Sequence, residues 1–159
     1  SSSNKKFHSW IIFRLGEFYL NYAEAMFRYT GDVEQVLPGD KSPLTAREAV
    51  NVIRQRTGVK MPELQADDVS DPEVFWKRYK NERMVELAFE GHRFWDVRRW
   101  KEGELLKEVT FMKITQNNNG TYNYSREKST RSWDDKMYLF PIPQTELMCN
   151  TNLTQNPGW

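Results

Sequence analysis

The sequence has one cysteine, no surplus of either charge and no long apolar run, and each shortage removes a class of explanation. Cys149 alone forms no internal disulfide and has no neighbouring cysteine for a metal knuckle, so the redox compartment is not written in it. Lys and Arg total 23 against 22 Asp and Glu, a net charge of +1, which is not the basic excess of a general nucleic-acid binder. No apolar stretch approaches the roughly 18 residues that read as a membrane span. The opening SSSNKKFHS has no signal-peptide hydrophobic region, which leaves a cytosolic protein and a chain without its natural beginning both open. Only His8 and His92 are available as histidines, poor support for Ser/His/Asp catalysis, and no glycine-rich phosphate cradle occurs.

Aromatic and charged residues are plentiful instead. Aromatics make up 14 %, with six Trp, and charged residues 28 % of 159 positions, enough chain to bury one domain's core. Residues 1–9 are polar and read as a loose start, and 10–159 as one helical domain with an excursion over 109–135. Leu15, Phe18, Tyr19, Tyr22, Met26 and Tyr29 recur every three or four positions and predict a helix from Phe13 to Tyr29, closed by Gly31. Its other face carries Arg14, Glu17, Asn21, Glu24 and Arg28, set either for solvent or for ion pairs with the 81–100 region. Thr45 and Glu48 form a capping box for a helix over Ala46–Thr57. Asp71-Pro72-Glu73 starts another, predicted to run to Glu90.

The stretch NERMVELAFEGHRFWDVRRW, residues 81–100, organises the rest. In a continuous helix Glu82, Glu86 and Glu90 share one face, four residues apart. After Gly91 a second short helix interleaves Phe94, Trp95, Val97 and Trp100 with Arg93, Asp96, Arg98 and Arg99, and its spacing predicts Trp95 and Trp100 in the core. Carboxylates among so much aromatic surface are costly to desolvate alone. A structural ion-pair core of Glu24, Glu82, Arg83, Glu86, Glu90, Arg93 and Asp96 follows, with Arg83 and Arg93 bonding Glu24 and Glu86. Metal or acid/base chemistry is the alternative reading of the ladder. No Glu-x-x-His pair favours a di-metal bundle site, and a glycosidase pair needs a carboxylate separation that sequence does not fix. No catalytic residue, metal ligand or cofactor is assigned.

Beyond Trp100, Val109–Thr115 and Tyr122–Ser125 read as two strands joined by Asn117-Asn118-Asn119-Gly120, a hairpin turn. Residues 127–136 read as a polar loop, MYLFPIP as an extended apolar strand and Gln144–Cys149 as a helical turn, followed by an irregular tail.

Four stretches, in order, resemble one family: RLGEFYLNYAEAM (Arg14–Met26), NVIRQRTGV (Asn51–Val59), the 81–100 stretch, and YLFPIPQTEL with LTQNPGW. They are similar to the C-terminal part of SusD/RagB proteins. Met84 departs from the pattern, standing where the family often has a second arginine after Arg83. The resemblance implies a mainly α fold of TPR-like helical pairs with a small hairpin and an irregular C-terminal segment. It also implies a noncatalytic glycan- or nutrient-binding protein at the outer-membrane surface. A SusC-like TonB-dependent transporter and an oligosaccharide would be its partners, with no nucleic acid and with membrane contact only through a lipid anchor absent from this chain. Family members are several times longer, so the chain reads as the C-terminal scaffold part.

A sugar ring presents a C–H face to an aromatic ring and hydroxyls to planar polar groups. In this chain Tyr122, Tyr124 and Trp133, with Asn123, Arg126 and Asp134, are the ligand-contact candidates; a loop anchor is the other reading of Trp133. A TPR-like protein-interaction scaffold without sugar binding, and a glycan-active enzyme using paired carboxylates, stand as alternatives.

Overall fold

The computed structural model describes residues 12–39 and 43–159, so the expected loose start at 1–9 lies outside the described residues. The chain divides into two compact units, Ser1–His92 and Arg93–Trp159. The class is mainly α, with TPR-like helical pairs and one hairpin.

The first unit contains α1 (Leu15–Thr30), α2 (Ala46–Arg54) and α3 (Pro72–Glu86). Gly31 closes α1 in the left-handed conformation at φ 71°, returning its N–H to the Phe27 carbonyl. Both hydrogen bonds of the Thr45/Glu48 capping box are present at the start of α2. Asp71 accepts from the Glu73 N–H at the start of α3, with Pro72 in the first turn where no backbone donor is needed. Leu20, Ala23, Met26 and Phe27 of α1 are buried, as are Ala46, Ala49, Val50 and Ile53 of α2. From α3 come Phe75, Trp76 and Tyr79; Phe27 stacks on Trp76 at 5.8 Å and Trp76 on Tyr79 at 5.2 Å. Fully burying each such side chain is worth about 1.5–3 kcal/mol. The connection after α2 is held by Asn51, whose buried amide accepts from the Leu64 N–H at 2.8 Å and donates to the Leu64 carbonyl at 3.0 Å.

Helix α3 ends at Glu86, four residues short of the predicted Glu90. In a longer helix the Glu86 carbonyl would accept from the Glu90 N–H. Here the Arg14 guanidinium takes that carbonyl, and Glu90 donates to Leu87 instead at 3.2 Å. The chain then turns through Phe89, at φ 66° and fully exposed, and Gly91 at φ 83°. Glu90 therefore does not share a helical face with Glu82 and Glu86.

The second unit holds most of α4 (His92–Arg99), strands β1 (Glu108–Gln116) and β2 (Tyr122–Thr130), and α5 (Gln144–Cys149). The strands pair antiparallel with Glu108 opposite Thr130 and Gln116 opposite Tyr122. Strand β2 runs five residues beyond the predicted Ser125 end, and cross-strand pairs Lys128–Glu108 (2.7 Å) and Lys113–Glu127 (2.9 Å) sit along that extension. Helix α4 buries Val97 and Asp96, whereas Trp95 is 58 % exposed and Trp100 half-buried. The core placement predicted for Trp95 is thus corrected: only one apolar residue of this two-turn helix is buried.

MYLFPIP is not a ladder strand. Asp135–Tyr138 forms a 3₁₀ turn, and the following residues are extended but hydrogen-bonded by side chains of the tail. Gln155 brackets Ile142, accepting from its N–H at 2.8 Å and donating to its carbonyl at 2.9 Å. Asn156 donates to the Phe140 carbonyl at 2.6 Å, and the Trp159 indole N–H reaches the Lys136 and Leu139 carbonyls at 3.0 and 3.1 Å. Two prolines in the segment remove backbone donors, and amides replace the missing strand partner.

Thr45→Ala removes one half of the capping box. Its expected cost is about 1 kcal/mol in equilibrium urea unfolding, with Thr45→Ser recovering most of it.

Candidate functional site

Two groupings carry the side chains singled out in the sequence, one in each unit. In the first, guanidinium groups reach carboxylates on α3 and on the turn after it. Arg14, just before α1, bonds Glu86 Oε1 at 2.5 Å and spans both Glu90 oxygens from Nε at 2.8 and 2.9 Å. Arg56 makes a second ion pair to Glu86, and Arg54 of α2 pairs with Glu82 while donating to the Pro62 carbonyl at 2.7 Å. Glu24 accepts from the Tyr79 hydroxyl at 3.0 Å, and buried Arg83 donates to Asn21 at 2.8 Å. His92 lies 3.7 Å from Glu17.

At Glu86 the partners differ from those expected. Glu86 meets Arg14 and Arg56 where Arg83 and Arg93 were anticipated. Arg93 is half-buried near the start of α4, and buried Asp96 accepts from Arg99 one turn on, at 2.9 Å. Arg14, Arg54 and Arg56 were thus the residues missing from the predicted core. Arg14 does stand in the polar stripe of the first helix, and Arg54 and Arg56 in NVIRQRTGV.

Electrostatics follows the geometry. Burial pushes the Glu86 carboxyl up, but hydrogen bonds from Arg56 and Arg14, and their charge, outweigh it and hold the group below its ordinary range. The Arg14 guanidinium is raised by its bond to Glu90, against burial and with Glu86 adding to the rise. Burial, then the Glu24 charge, raises Tyr79, which Arg83 opposes; the phenol stays protonated and donates at neutral pH. Ionised acids held between guanidinium groups are poor proton donors and poor nucleophiles. The cluster's chemistry is cross-linking of helices.

In the second unit the hairpin register sorts the ligand candidates by face. Tyr122, Tyr124 and Arg126 alternate along β2 and share one face with Gln116, Ile114 and Met112, the residues opposite them. Tyr122 is 52 % and Tyr124 66 % exposed. Asn123 is on the other face and donates to Asn117 at 3.1 Å.

Trp133 and Asp134 belong to neither face. The Trp133 ring packs edge-on to Tyr138 at 5.0 Å, beneath Gly103, where an added Cβ would fall 1.9 Å from the ring. Its indole N–H is buried and has no hydrogen-bond partner among the described residues. Asp134 accepts from the Lys136 N–H at 3.0 Å and lines a cleft of about 410 Å³ with Lys101, Tyr138 and Leu139. The exposed tyrosine face was legible as alternation, but its separation from Trp133 was not.

The sequence profile of the SusD family matches residues 1–159. A crystallographically solved SusD-like protein from Bacteroides fragilis is similar at 38 % identity and a TM-score of 0.78, over 100 % of this chain and 27 % of that one. A second solved chain, BT4246, is similar at 30 % identity and a TM-score of 0.74, over 100 % of this chain and 25 % of its own. No curated protein matches. The chain spans about a quarter of the length of these solved relatives.

Glu86→Gln tests the cluster. The Glu86 side chain is 8 % exposed against 26 % for Arg14 and 43 % for Arg56, so the loss is expected near 2 kcal/mol, below that of a fully buried pair. A depressed carboxylate stabilises the fold above its ordinary value, around 4.5, and that contribution fades as pH falls through the lower folded value. Wild type and variant should therefore differ in urea unfolding at pH 7 and converge at increasingly acidic pH. A difference that grows towards acid contradicts this assignment.

Proposed function

The chain belongs to the SusD family, and from that premise we propose that it is the C-terminal scaffold part of a glycan- or nutrient-binding protein at the cell surface. In this reading the whole protein is held at the outer membrane by a lipid anchor. It captures an oligosaccharide and passes it to a SusC-like TonB-dependent transporter. It binds and does not catalyse. Among the described residues no helix is long and apolar enough to cross a membrane.

The observation that carries the reading is the Tyr122/Tyr124 face. Side chains two apart on a strand stand about 7 Å from one another on one side. Their exposed rings offer apolar surface to sugar C–H faces, while Arg126 and Gln116 on that face offer hydrogen bonds to hydroxyls. The ion-paired acids of the first unit support a scaffold role, since Glu82, Glu86 and Glu90 are each engaged by an arginine. The enzyme alternative needs two acids in an open cleft with neither neutralised.

Affinity electrophoresis through gels containing different polysaccharides tests the assignment. For a retained polysaccharide, Tyr122→Ala and Tyr124→Ala should each weaken retention about tenfold, the equivalent of roughly 1.4 kcal/mol, with the melting temperature unchanged. Trp133→Ala should chiefly lower the melting temperature, because the ring fills the space beside Gly103. Retention unaffected by both tyrosine changes removes the hairpin from the binding surface.

A further inference from the structure

A groove in the first unit, bordered by the Arg54–Glu82 pair of the ion-paired cluster, carries unneutralised positive charge over an aliphatic floor. Its volume is about 660 Å³, within the ~300–1,000 Å³ of ligand pockets. Met61, Leu64 and Val74 supply the floor, and Lys77, Arg78 and Asn81 of α3 rise along it. Among the described residues the other charged ones lining it, Arg54 and Glu82, neutralise each other. Among the described residues neither Lys77 nor Arg78 has an acidic partner, so the groove keeps two positive charges.

The lining decides the class of occupant. Among the described residues no aromatic ring lines the groove, so they offer no platform of the kind that favours a sugar face. Met61 is 48 % and Val74 39 % exposed, apolar surface that an aliphatic side chain would cover. Asn81 offers both a donor and an acceptor, as a peptide backbone requires. The floor is anchored, because the Leu64 backbone is held on both sides by Asn51. Grooves formed by helical pairs commonly present such surfaces to protein segments.

We propose that this groove binds an acidic peptide segment of a partner protein, with carboxylates on Lys77 and Arg78 and an aliphatic side chain on the Met61–Leu64–Val74 floor. The site does not depend on glycan binding by the hairpin, and its test is separate.

The probe is a fluorescein-labelled peptide, acetyl-Glu-Leu-Asp-Leu-Glu-amide, titrated against the full chain by fluorescence anisotropy at 50 and 300 mM NaCl. Saturable binding that weakens with salt is expected, with at least a tenfold loss for the Lys77→Glu/Arg78→Glu double variant. Val74→Ser should also weaken binding, whereas Lys113→Glu/Lys128→Glu, equal in charge change but on the hairpin, should leave it unchanged. Circular dichroism melting checks that each variant is folded. Three results each overturn the proposal: no saturable binding, equal binding of the peptide with lysine at every acidic position, or equal loss in both double variants. Binding of an oligogalacturonate that the Lys77/Arg78 variant abolishes, without binding of the peptide, likewise overturns it in favour of an acidic sugar.

Discussion

The guanidinium of Arg14 is the contact on which the first unit turns. One planar group reaches the Glu86 carboxylate, the Glu86 backbone carbonyl and both oxygens of Glu90, 72 and 76 residues away in sequence. It donates to the carbonyl that a further turn of α3 would also use, and the helix ends where the cation sits. A cation at a helix C-terminus also meets the negative end of the dipole. The end of α3, the turn through Phe89 and Gly91 and the position of Glu90 thus meet at one group. Lysine in this position would supply charge without the fork that serves several acceptors at once.

How well the sequence announced an element depended on how local its cause was. The capping box at Thr45 and Glu48, the Asp71-Pro72 start and the Gly31 stop each involve groups within a few residues, and the helix starts and that stop stand where the pattern put them. The end of α3 did not, because the competing donor lies before α1. MYLFPIP looked like a strand because its apolar, extended character is real; its hydrogen-bond partners, Gln155 and Asn156, lie in a tail with no periodicity of its own. That relation also gives a physical reason for the family resemblance to include both YLFPIP and LTQNPGW. Trp95 misled for a different reason. Helical spacing says which residues share a face, but not whether anything covers it.

The two units are stabilised differently. The first buries aromatic and aliphatic residues from three helices and cross-links their ends with ion pairs. In the second, Val97 is the only buried hydrophobic residue among those described, and much of the order comes from side-chain amides and indoles bonding backbone carbonyls. A two-stranded hairpin is marginal without a covered face, yet Met112, Ile114, Tyr122 and Tyr124 all stand exposed on one side of it.

That contrast bears on how a chain with an exposed apolar face keeps its order. A face left uncovered forgoes hydrophobic stabilisation, and that stability has to come from elsewhere in the chain. Buried ion pairs contribute little net stability compared with hydrophobic packing, but losing one partner is costly, so they define which helix ends meet. Arg14, Arg54 and Arg56 define those ends in the first unit without leaving Glu82, Glu86 or Glu90 free to react. Reactive acids would need the opposite arrangement: raised or divergent proton affinities in an open cleft. Glu86 is shifted the other way: burial raises it, and the hydrogen bonds from Arg56 and Arg14 outweigh that.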